Sequence, residues 1–246
     1  VVQHHATLAK AARAATAAAP AQQEDYDAKQ LEAQKPVELG LDPAKGSAFR
    51  EEGRAVYFKR CMSCHGRTGA GDGVAAPYLD PKPRDFTTGV FKFRTTHSGE
   101  LPTDADLFYT VSRGIPGTSM PAWGEGPFVL PERERWAAIY FIKTLAPDFW
   151  QQARDPYAEG KQLIVGKAPL ATPQRLEAGK RHYQDKKNTA CEKCHGAKGR
   201  GNGTKAGTHR DDWRAPILPR DLTKGWLYKN GARAQDIYRT LTLGLN

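Results

Sequence analysis

The sequence predicts an all-α protein of two consecutive, similar helical domains, the second incomplete at its C-terminal end. Three observations point there. All four cysteines fall into two matching strings, "CMSCH" at 61–65 and "CEKCH" at 191–195. The residues flanking those strings repeat along the chain. The run "PERERWAAIYFIKTLAP" from Pro131 keeps helical spacing through Trp136, Ile139, Tyr140 and Lys143, with Pro and acidic residues at its start, where both suit a helix.

The strings come first because they carry the chemistry. Two thiols at i and i+3 lie on one side of a helical turn, and the following His points its ring to that side. CxxCH is the attachment signature of c-type haem. Cys61, Cys64, Cys191 and Cys194 are therefore expected to form thioethers with the vinyl groups of two haems, with His65 and His195 as axial iron ligands. A zinc ribbon spaces its CxxC pairs by about 15–20 residues, whereas 126 residues intervene here. A thioredoxin-type CxxC needs no following His. Chance supplies even one CxxCH in such a chain only roughly 0.002 times.

The repeat comes next. Gly53, followed by "RAVYFKRCMSCHG", matches Gly179, followed by "KRHYQDKKNTACEKCHG", and "DLFYTVSRGIP" from Asp106 matches "DIYRTLTLGLN" from Asp236. Cys61 to Cys191 and Asp106 to Asp236 share an offset of 130, although the loop after the second string is longer. "APYL" at 76–79 pairs with "APIL" at 215–218, and "PRD" at 83–85 with "PRD" at 219–221.

On these motifs each copy resembles a class I cytochrome c domain, a small all-helical fold that wraps one haem; the likeness covers about residues 46–246. The resemblance implies that Gly53 and Gly179 allow a close helix crossing, with Tyr57 and Tyr183 one turn on, and that Tyr140 meets Gly53. It implies that the carbonyls of Pro77 and Pro216 accept the ring N–H of the haem histidines. It makes Met120, in the loop "GIPGTSMPAW", the sixth ligand of the first iron. Arg84 and Arg220 are candidates for the haem carboxylates, and Trp123, Trp213 and Trp226 for pocket walls. His/Met coordination favours ferrous iron and leaves the first haem no open position.

The expected organisation is an Ala-rich flexible tether (1–45), a first domain (46–150), a linker (151–173) and a second domain (174–246). The last stops before its ligand loop and closing helix. Adding the offset to Met120 places a second axial Met four residues past Asn246, and the spacing suggests a native chain longer by roughly 30 residues. His209 in the enlarged loop is the alternative ligand.

Charge and hydropathy narrow the function. There are 37 Lys and Arg against 27 Asp and Glu, a net +10; from Asp155 onward the counts are 18 and 9. No nucleic-acid motif accompanies the basic half, so an acidic protein partner is the better match. The longest apolar run, Trp136 to Ile142, is far shorter than the ~20 residues that span a bilayer. The expected function is single-electron transfer by a dihaem cytochrome rather than an enzyme. It would be a periplasmic carrier or the electron-transfer subunit of a membrane-associated respiratory complex. The alternative is a dihaem peroxidase or sulfur-compound oxidoreductase using the second haem.

Overall fold

A close helix crossing at a glycine organises the first half. In the computed structural model, which describes residues 47–146, 162–211 and 214–245, helix α1 spans Ser47–Arg60 and leads into the one-turn helix α2, Met62–His65, which carries the first string. Helix α3 (Asp104–Arg113) starts at a capping box: the Thr103 hydroxyl accepts the Asp106 N–H at 3.1 Å, and the Asp106 carboxylate accepts the Thr103 N–H at 2.9 Å. Helix α4 (Glu132–Lys143) follows Pro131, with Glu132 and Glu134 in its first turn. The expected tether lies outside the described residues.

Helices α1 and α4 cross at Gly53. A Cβ there would stand 1.9 Å from the Ala137 carbonyl oxygen and 3.1 Å from Phe141 Cβ. The close partner is thus Ala137, not Tyr140 as expected from sequence; Tyr140 makes an edge contact with Phe49 at 5.6 Å. Burying Tyr57, Phe108, Trp136, Ile139 and Ile142 fixes the core, with Phe108 stacked on Trp136 at 4.2 Å.

The second half is built from α5 (Pro173–Gln184), α6 (Cys191–His195) and α7 (Ala234–Leu243). Its longer loop forms a short antiparallel hairpin, β1 (His209–Arg210) with β2 (Pro216–Ile217). This is the one named strand pair among the described residues of an otherwise helical chain. Gly179, the counterpart of Gly53, has nothing within 4 Å of a Cβ position. The α5 helix buries none of its residues, and Leu176, Tyr238 and Leu241 are exposed.

The halves touch along a seam. The buried Arg94 donates to the Leu243 carbonyl at 3.4 Å, and the Arg113 guanidinium donates to the Lys229 carbonyl. Part of the expected linker also docks on the first half, where Leu163 N–H donates to the Thr95 carbonyl at 2.7 Å. Residues 151–161 of that linker, and 147–150 of the expected first domain, lie outside the described residues.

Candidate functional site

A cavity of about 230 Å³ opens between α2, α3, α4 and the Met120 loop. Cys61, Cys64 and His65 line it together with Met120, Trp123, Leu107 and Ile139. The four cysteines of the chain are half-buried and unpaired. Among the described residues no three His, Cys, Asp or Glu side chains converge as a metal-binding group.

His65 is set for ligation by its surroundings. Its Nδ1 lies 3.1 Å from the Arg84 carbonyl, which can only accept, so Nδ1 carries the proton and Nε2 keeps its lone pair. Burial holds its pKa below the usual histidine range, although the Arg84 carbonyl works the other way. The neutral ring is therefore the form present at pH 7, and Phe86 stacks on it at 4.5 Å to fix its plane. Here the structure corrects the sequence reading. The acceptor is Arg84, and Pro77 sits exposed in a 3-10 turn at Ala76–Tyr78.

The Met120 loop is a closed unit. Ile115 N–H donates to the Met120 carbonyl at 3.1 Å, and Met120 N–H donates to the Thr118 hydroxyl at 3.2 Å. The half-buried Met120 side chain packs against the cluster of Val56, Trp123, Leu130 and Ala138. A soft thioether and an imidazole thus line the same apolar cavity as two thiols, a donor set that fits haem c.

Comparison with known proteins agrees with this chemistry. The family model for "Cytochrome C oxidase, cbb3-type, subunit III" matches residues 48–142. No curated protein matches the chain. Among solved structures, a chain of the Kuenenia stuttgartiensis reducing HAO-like protein complex Kustc0457/Kustc0458 is 40% identical. The match covers 80% of this chain and 84% of that one, with a TM-score of 0.71. The present chain belongs to the family of that protein. Residues 48–142 are a cytochrome c domain, which implies haem c and electron transfer.

The second string is built like the first. His195 Nδ1 donates to the Arg220 carbonyl at 2.9 Å, so Pro216, exposed in β2, is not the acceptor that the sequence suggested. Tyr57 donates to the Gly66 carbonyl at 2.7 Å and Tyr183 to the Gly196 carbonyl at 2.6 Å, each just past the histidine. The returning loops match as well. Gly71 and Gly201 donate to the carbonyls of His65 and His195, and Gly73 and Gly203 to those of Cys64 and Cys194. Gly66 and Gly196 have φ of 83° and 78°, a left-handed conformation that favours glycine. The offset of 130 holds through Gly203 and becomes 136 at Arg220, because the hairpin sits between.

Other predicted residues fall as follows. Arg84 lines the first cavity and Trp123 is buried on its wall, whereas Trp226 is 70% exposed and forms no wall. Trp213 lies outside the described residues. His209 is exposed in β1. Two lining residues had no signal in the sequence: Asp211 and Lys229, which reach the first cavity from the second half.

Proposed function

We propose that this chain is a dihaem c-type cytochrome that passes single electrons between protein partners outside the cytoplasmic membrane. Thioether bonds from Cys61 and Cys64 would hold one haem, and Cys191 and Cys194 the other. His65 and Met120 would ligate the first iron, and His195 the second. The observation that carries the reading is the duplicated His-to-carbonyl bond, His65 to Arg84 and His195 to Arg220, each directly after a CxxC pair. One such bond fixes a ring; two identical ones at identical motifs argue for the same ligand chemistry twice. When bound, the haem supplies a one-electron carrier. The protein keeps His65 neutral, orients both histidines, excludes water with the apolar wall, and offers a thioether that favours ferrous iron.

The tandem domains proposed are 46–150 and 174–246. The similar solved protein was found as part of a two-protein complex, which supports a subunit role for this chain beside a redox partner. The basic second half suits an acidic docking surface on that partner. No helix among the described residues is long and apolar enough to cross a membrane; the membrane association proposed here is through partners. Haem analysis per chain tests the reading, with two haems and two one-electron waves expected. One haem per chain would sink the dihaem proposal. Peroxide turnover or carbon monoxide binding at the second haem would favour the enzymatic alternative.

A further inference from the structure

Three cations meet at the seam between the halves. Lys92 of the first half and Lys229 of the second both line the first cavity. Arg220 is next to them, and its Nη1 lies 3.7 Å from where a Cβ on Gly117, in the Met120 loop, would stand. All three are half-buried. Neither the Lys229 ammonium nor the Arg220 guanidinium has a hydrogen-bond acceptor among the described residues. Burial, then the charges of Arg220 and Lys92, hold the Lys229 ammonium below the usual lysine range, with Asp80 opposing. Asp211 lines the same cavity, and its Oδ1 accepts the Ala215 N–H at 2.8 Å.

Gathering like charges beside an apolar cavity is unfavourable unless an anion compensates them. Haem carries two carboxylates, on the pyrroles remote from the vinyl groups that the cysteines take. Of the other first-half cations on this cavity, Lys82 is committed to the Ala76 carbonyl at 2.8 Å, Arg60 is adjacent to Cys61, on the thioether edge, and Arg84 stays the carboxylate candidate that the sequence named.

We propose that Lys229 and Arg220, with Lys92, receive the carboxylates of the haem in the first cavity, so that the second half completes the first site. The proposal rests on the haem reading of that cavity. It gives Arg220 two contacts of consequence: its carbonyl holds His195, and its guanidinium faces the Met120 loop. The second half is then a structural part of the first haem site, and the charged edge of that haem faces the half that carries the other.

The test uses the holoprotein and potentiometric titration of both haems, with the Met120→Ala shift assigning the first wave. In Lys229→Gln the first wave moves to lower potential, because a lost positive charge disfavours the more negative ferrous form. The expected size is up to about a tenfold fall in the ferrous-to-ferric ratio, about 59 mV for one electron. Lys229→Arg keeps the wild-type value, Arg220→Gln moves the first wave in the same direction, and the exposed Lys167→Gln moves neither wave. A first wave unmoved in Lys229→Gln, or two waves moving equally, overturns the seam proposal alone. Absence of any haem bound to Cys61 and Cys64 overturns it together with the functional reading.

Discussion

Gly53 admits the Ala137 carbonyl so closely that any side chain would collide: an added Cβ would lie 1.9 Å from that oxygen. The obstacle is backbone, which cannot rotate away, so α1 and α4 must separate. Gly53→Ala is expected to cost roughly 3 kcal/mol, as overpacking of a rigid contact does. Gly179→Ala meets nothing within 4 Å and is expected to gain up to about 1 kcal/mol from helix propensity. Urea unfolding followed by circular dichroism compares them. Equal effects at both sites would mean that Gly179 is packed in solution.

The paired tyrosines give a second comparison. Tyr57 is fully buried, and its hydroxyl satisfies the Gly66 carbonyl beside the first histidine. Tyr57→Phe strands that acceptor and is expected to cost about 1–3 kcal/mol, whereas Tyr183→Phe, with its half-buried counterpart, is expected to cost under about 1 kcal/mol. Thermal unfolding of the two variants decides it. A larger loss in Tyr183→Phe would contradict the difference in burial.

The two histidine sites show where sequence reasoning reached and where it stopped. The CxxCH strings and the common offset were legible because attachment chemistry demands fixed residue types at fixed spacing. The acceptor for the histidine ring was not, because any residue has a carbonyl and residue type does not mark it. "APYL" and "APIL" looked aligned, but the first forms a 3-10 turn and the second supplies β2 of the hairpin, and the acceptors are the Arg84 and Arg220 carbonyls that follow them. The better signal was the paired "PRD", whose Asp85 and Asp221 carboxylates accept from Thr87 and Thr223 N–H at 2.8 and 2.9 Å. Tyr140 was misplaced by one helical step relative to Ala137. The reach of Lys229 into the first cavity was invisible, since a contact between halves leaves no periodicity.

Alkaline pH probes the core around α4. Burial, then the nearby Asp104 charge, pushes the Tyr140 pKa up to about 12, and burial shifts Tyr57 in the same direction. A phenol whose folded pKa is raised contributes stability that is fully present below its unfolded pKa of about 10. That contribution is lost as pH rises through the folded value. Between pH 10 and 12 the wild type should therefore lose stability, by roughly 1.4 kcal/mol per pH unit for each fully titrating phenol. Tyr140→Phe should flatten the slope, because a ring that cannot ionise has nothing to lose there. Denaturant midpoints at pH 9 and 11 measure it; identical slopes in both proteins would exclude Tyr140 as a contributor.

Met120 carries the sharpest redox prediction. Its loop is closed by its own hydrogen bonds, so replacing the side chain leaves the backbone geometry of residues 115–120 in place. Met120→His substitutes a harder nitrogen ligand for the thioether and should stabilise ferric iron, lowering the first haem's potential. A tenfold change in the one-electron equilibrium is about 59 mV, and the ligand exchange is expected to exceed it. Met120→Ala should open the iron and admit carbon monoxide at the first haem, whereas the wild type is expected to exclude it. Both variants leave His195 and its bond to Arg220 untouched, so the second wave should hold its position. A first wave unmoved by either substitution would remove Met120 from the iron and leave it as packing against Trp123 and Leu130.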